Sequence, residues 1–177
     1  MTGDDRDNII LCGFMATGKS SVGKKLAELM NYEFVDMDAQ IEAEEGMSIP
    51  QIFATRGEPA FRALECGMVE RIAERSRCVV ATGGGTIVNQ KNLDLLKRCG
   101  VVITLTADEK TILSRAGKGE SRPMLQGSDR LERIRTLIKQ REPFYSQADI
   151  ILDTSSLDIH QVVRRIAECL REFGIRA

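Results

Sequence analysis

The sequence predicts an α/β fold: a parallel sheet with helices on both faces. Three observations carry this. Short apolar runs such as "NIILC" read as buried strands, and they alternate with longer amphipathic runs along the whole chain. No repeat, low-complexity tract or linker divides the 177 residues, so residues 1–177 form a single domain long enough to bury a substantial core. The Gly-rich and acidic stretches fall just after strand-like runs, where such sheets bind their ligands.

Taken in order, "NIILC" is the first strand and "KSSVGKKLAELM" a helix with Val22, Leu26 and Leu29 at helical spacing. "FVDMD" is a second strand ending in acids. Helical segments follow from Ala39 to about Arg75, with Ser48 and Gln51 spaced as a capping box for one of them. "CVVA" is the third strand, followed by a helix over roughly Gln90 to Arg98. "VVITL" is the fourth, with Thr106 and Glu109 placed to cap the next helix. After a polar stretch a helix runs from about Asp129 to Tyr145, "IILD" is the fifth strand, and a last helix covers about Leu157 to Phe173.

Composition excludes several functions. Charged residues make up 29% but nearly cancel, leaving a formal charge of -1, which does not suit a nucleic-acid or anionic-membrane surface. The Lys and Arg residues are dispersed with few aromatics among them, against single-strand stacking. Five cysteines without a C-x-x-C pair suggest a reducing compartment. The acidic start "MTGDDRDN" lacks the apolar core of a signal peptide, and no run is of membrane-spanning length. A cytoplasmic monomer is expected.

"GFMATGKS" matches G-x-x-x-x-G-K-[ST] at Gly13, Gly18, Lys19 and Ser20, between a strand and a helix as that motif requires. Backbone N–H groups of such a loop face phosphates; Lys19 would reach the terminal ones and the Ser20 hydroxyl would ligate Mg²⁺. The motif specifies nucleotide binding and leaves the phosphoryl acceptor unnamed.

Candidates for the acceptor site lie further along. Asp36 and Asp38 are two apart at the end of the second strand, so their side chains can share a face. One could hold Mg²⁺ through water while the other accepts a hydroxyl proton; equally, Asp38 could cap the helix beginning near Ala39. In "ATGGGT", Gly83, Gly84 and Gly85 follow the third strand and permit close backbone approach to a ligand, or form an ordinary turn. Arg62 in "EPAFRALE" and Arg141 in "KQREPFYSQAD" could grip a carboxylate if they converge. Residues 114–130, "SRAGKGESRPMLQGSDR", read as a solvated loop or as a mobile lid whose Arg122 closes over the transferring phosphoryl group. The sole histidine, His160, lies far in sequence from every motif and reads as structural or surface.

Together these residues resemble the shikimate kinases, in the nucleoside-monophosphate-kinase-like branch of P-loop proteins. "GFMATGKSSVG", "FVDMD", "IFATRGEPAFRALE", "ATGGGT", "SRPML" and "REPFY" match that family's motifs in order, from about Asn8 to about Phe173. The resemblance implies a three-layer P-loop fold with strand order 2-3-1-4-5. It also implies transfer from ATP to the 3-hydroxyl of shikimate, a step of aromatic amino acid biosynthesis. Ala16, Thr17, Gly18, Lys19, Ser20 and Ser21 would surround the ATP phosphates. Asp36 would support Mg²⁺, and Asp38 would bind the ring hydroxyls and act as base. Arg62, Arg141 and the Gly84 backbone would hold the substrate, Arg122 would be the lid arginine, and Arg115 would lie near the adenine with the loop after Asp153. One departure is Ala16, where the family commonly has Gly; its methyl is tolerated if the residue keeps a negative φ.

Other readings are a sister kinase such as a gluconate kinase and a kinase-like binding module without catalysis. The second should lack a lysine, acid or lid arginine that this chain retains. A GTPase switch is disfavoured, because the chain has no N-K-x-D guanine signature.

Overall fold

In a computed structural model, which describes residues 7–116 and 130–175, five strands form one parallel sheet. They are β1 (Asn8–Gly13), β2 (Glu33–Asp36), β3 (Cys78–Ala81), β4 (Gly100–Thr106) and β5 (Ile150–Asp153), in the order β2-β3-β1-β4-β5. β1 sits at the centre, with Ile10 paired to Val80 on one side and to Val102 on the other. The helices are α1 (Lys19–Met30), α2 (Met37–Glu45), α3 (Ile49–Ala73), α4 (Gln90–Cys99), α5 (Glu109–Arg115), α6 (Arg130–Tyr145) and α7 (Ile159–Leu170).

Alternate residues of each buried strand face opposite sides, so one sheet builds two cores. Ile10, Val80 and Val102 pack against Ile41, Met68, Leu93 and Ile134 on one face. Ile9, Val79, Val101 and Ile103 pack against Leu26, Val163 and Ile166 of α1 and α7 on the other. Each layer needs the sheet to bury its apolar stripe, which fixes the three-layer architecture. Among the described residues, no helix is long and apolar enough to cross a membrane.

Helix starts follow local chemistry, and two differ from the sequence expectation. The Ser48–Gln51 capping box opens α3 as expected, with each side chain bonded to the other's backbone N–H. α5 is capped by Asp108 rather than Thr106: its carboxylate accepts from the Thr111 N–H at 2.6 Å. α2 begins two residues earlier than Ala39, because Asp36 is the cap and accepts from the Ala39 N–H. β2 therefore ends at Asp36, and Asp38 belongs to the first helical turn. Within α3 the backbone leaves helical geometry at Gly57 (φ 79, ψ 169), one residue before the segment carrying Arg62.

Candidate active site

The carboxyl ends of β1, β2 and β3 open into one cleft of about 1250 Å³. It runs from Thr154 and His160 across the β1–α1 loop to Phe53 and Arg62.

The loop end is made by the main chain. Gly13 closes β1 with φ 133, and a Cβ there would lie 2.2 Å from the Leu105 carbonyl oxygen, so only glycine fits beside β4. The Thr17 hydroxyl donates to the Phe14 carbonyl at 2.8 Å and holds the loop closed. Lys19 crosses back, its ammonium donating to the carbonyls of Gly13 and Phe14 at 2.9 Å each. Gly18 then starts α1, whose N-terminal N–H groups and positive dipole end favour an anion. Ala16 departs from expectation: its φ is 61, in the left-handed region where a methyl strains the backbone by roughly 1–2 kcal/mol. The condition for tolerating Ala at this position is not met.

Beside this loop the Ser20 hydroxyl donates to Asp36 Oδ2 at 2.6 Å, while Asp36 Oδ1 caps α2. Asp36, not Asp38, is thus the capping carboxylate, and the two acids are brought together by a strand-to-helix turn rather than by one strand face. Asp38 Oδ1 is buried with no hydrogen-bond partner. Burial, and next the negative charge of Glu65, push its pKa up from 3.8 to about 6; Lys19 opposes, and Asp36 and Glu42 add to the rise. A buried carboxylate oxygen without a partner is expensive, and Asp38 lines the cleft.

The three glycines after β3 are packed against the charged groups of this end. A Cβ on Gly83 would lie 2.7 Å from Asp38 Oδ1 and 2.8 Å from Glu65 Oε1. On Gly84 it would lie 3.2 Å from the Arg141 guanidinium, and on Gly85 2.7 Å from that of Arg62. "GGG" therefore lets four side chains close around one segment of backbone. Arg141, only 7% exposed, donates to the Gly84 carbonyl at 3.0 Å, and the Tyr145 hydroxyl donates to the same oxygen at 2.6 Å. Arg62 donates to Glu65 Oε2 at 2.6 Å and to Glu58 Oε1 at 2.8 Å.

Arg115 lies at the opposite end of the cleft, donating to the Thr154 hydroxyl at 3.1 Å and the Thr154 carbonyl at 3.0 Å. The structure thus brings Ala16, Thr17, Gly18, Lys19, Ser20, Ser21, Asp36, Asp38, Arg62, Gly84, Arg115 and Arg141 onto one cleft. Arg122 and most of the lid, residues 117–129, lie outside the described residues. His160 is exposed on α7 as expected, yet it lines the same cleft despite its distance in sequence. Sequence reasoning missed Glu65 and Tyr145. The signal was spacing: Glu65 is three residues after Arg62 and Tyr145 four after Arg141, so each pair shares a helix face.

Comparison with known proteins gives the family. The shikimate kinase family matches residues 15–171. A shikimate kinase of Geobacter metallireducens is 43% identical over 159 residues, 90% of this chain and 89% of that one. The solved structure of a shikimate kinase from Acinetobacter baumannii, in complex with shikimate, superposes with a TM-score of 0.90. It is 34% identical, and the match covers 94% of each chain. A gluconokinase from Sinorhizobium meliloti has a TM-score of 0.58 at 20% identity, over 94% of this chain and 98% of that one, a likeness of fold alone.

Proposed function

This chain belongs to the shikimate kinase family, and from that premise we propose that it transfers the terminal phosphoryl group of ATP to the 3-hydroxyl of shikimate. The observation that carries the assignment of roles is the buried, partnerless Oδ1 of Asp38, in one cleft with Arg62, Arg141 and the phosphate loop.

In this reading Arg62 and Arg141 hold the substrate carboxylate, with Gly84 against the ring. Their placement in the α3 and α6 walls orients the hydroxyl toward Asp38. Asp38, ionised above about pH 6, accepts the hydroxyl proton as the oxygen attacks the terminal phosphorus, and ADP leaves with the bridging oxygen's electrons. Lys19 neutralises charge that builds on the phosphates. Arg122 would complete the enclosure from the lid. Arg115 and the loop after Asp153 would border the adenine.

Ser20 and Asp36 would hold the Mg²⁺ that accompanies ATP. Their oxygens are hard donors only 2.6 Å apart at the edge of the phosphate loop, which fits an ion that keeps most of its own waters. Bound, the ion neutralises phosphate charge. The enzyme would act as a monomer in the cytoplasm; five free cysteines support a reducing compartment.

Turnover measured with ATP and shikimate, and separately with gluconate, tests the reading. Shikimate should yield ADP and a 3-phosphate ester by ³¹P NMR, while gluconate should give no ADP above background. Preference for gluconate would defeat it.

A further inference from the structure

We propose that Thr86 is a positioning residue for the phosphoryl acceptor, acting through Glu65 on the guanidinium of Arg62. This rests on the reading of Arg62 as the clamp on the acceptor's carboxylate.

Glu65 and Thr86 are each 1% exposed, so neither can exchange a lost partner for bulk water. The Thr86 hydroxyl donates to Glu65 Oε1 at 2.6 Å. The other carboxylate oxygen, Oε2, accepts from Arg62 at 2.6 Å. Glu65 is thus a bridge with one end tied to each residue, and together with Glu58, which accepts from Arg62 Nε and Nη2, it sets where the Arg62 fork points. Thr86 is itself fixed. Its N–H donates to the Gly83 carbonyl at 3.3 Å, and the Asn92 side chain donates to the Thr86 carbonyl at 3.0 Å.

What faces Oε1 makes the hydroxyl necessary. Oε1 borders Gly83 on the side where Asp38 Oδ1 also stands, so two carboxylate oxygens flank one glycine. The other charges acting on Asp38 are Lys19 from α1, Asp36 at the end of β2 and Glu42 from α2. Only one of these, Lys19, is a cation, and its ammonium donates to the Gly13 and Phe14 carbonyls. Without the Thr86 hydroxyl, Oε1 would be a buried acceptor with no donor among the described residues, next to like charge. The carboxylate would then turn toward Arg62's solvent side, which loosens the geometry in which Arg62 meets the acceptor.

The test is steady-state kinetics of Thr86→Val, Thr86→Ser and the wild type, with folding checked by circular dichroism. Val keeps the shape and loses the donor; Ser keeps the donor. A buried hydrogen bond to a charged group is worth about a tenfold change or more in a binding constant. Thr86→Val should therefore raise the shikimate KM about tenfold, with ATP KM and kcat within about threefold, and Thr86→Ser should restore wild-type values. A shikimate KM within twofold of wild type in Thr86→Val overturns the proposal. So does an equal rise in both KM values, or a Ser variant as impaired as Val. If Thr86→Val does not fold, Thr86→Ala is read in its place, and failure of both to fold overturns a positioning role in favour of packing. A wild type that does not turn over shikimate brings down the functional reading itself, which separates the two failures.

Discussion

The two ends of the cleft are built from different materials. The end proposed for phosphate is main chain: residues 13–18 turn so that a helix start opens on the cleft, and the loop is held by the Thr17 and Lys19 bonds to its own carbonyls. The acceptor end is side chain: Asp38, Arg62, Glu65 and Arg141 come from three helices and meet around the backbone of Gly83, Gly84 and Gly85. A site made of backbone needs a short contiguous motif. A site made of buried charges needs the whole fold to bring them together, and each charge must be balanced by another. The first should tolerate side-chain changes that leave its path intact, whereas the second should fail one function at a time.

The largest expected effect separates acceptor chemistry from nucleotide binding. Asp38→Asn should lower kcat by roughly 10²- to 10⁴-fold, the usual contribution of a general base, with ATP affinity by titration unchanged. The same variant should be more stable at neutral pH. Burial and Glu65 hold Asp38 at about 6 in the folded chain against an ordinary 3.8, so folding takes up a proton between those values. Stability from this residue is present in acid and lost as pH rises through about 6, a loss the amide does not suffer. The thermal midpoint of Asp38→Asn at pH 7.5 should lie above that of the wild type, and the two should converge near pH 4. A near-normal kcat would remove Asp38 from the chemistry.

Lys19→Ala attacks the other end. Loss of one preorganised charge should lower kcat about 10²- to 10³-fold. Activity within a few-fold of wild type would take the loop out of the mechanism. Arg62→Lys keeps the charge and loses the fork held by Glu65 and Glu58, so shikimate KM should rise roughly 30-fold while ATP KM stays within about threefold. Parallel rises in both would mean that the two ends are not separate.

The smallest effect falls on the backbone end. Ala16→Gly relieves a left-handed alanine but adds freedom to the unfolded chain. The balance should raise the thermal midpoint by about 2–4 °C and leave ATP affinity within about threefold. A lower midpoint would mean that the alanine methyl contributes packing that outweighs its strain.

This contrast also explains what could be read from the sequence. The five strands and the phosphate loop were legible, because continuous apolar runs and a contiguous motif are local signals; the strand order came only with the family resemblance. Asp36 and Asp38 were found as a pair, but which of them caps the helix was settled only by the fold, where Asp36 caps α2 and bonds Ser20. The φ of Ala16 has no signature in composition, since a loop's backbone path is set by the fold around it. Glu65 passed unnoticed because a glutamate on a helix is ordinarily solvated; its burial follows from the glycines after β3, far away in sequence. His160 shows the same limit, for the parallel sheet sets the start of α7 beside the cradle.

Thr154 has a further consequence. It follows β5, the sheet's outer strand, where Ile151 is 54% exposed. A short edge strand of this kind would ordinarily fray on its own, opening and closing without disturbing the rest of the molecule. Here the Thr154 hydroxyl reaches both the Thr106 carbonyl, at 3.0 Å, and the Thr17 carbonyl, at 3.3 Å, and Arg115 holds the same residue from α5. Fraying of the edge must therefore break a bond to the nucleotide loop. The sheet margin and the β1–α1 loop are thereby tied together, so that whatever stiffens the loop should also stiffen the strand beyond it.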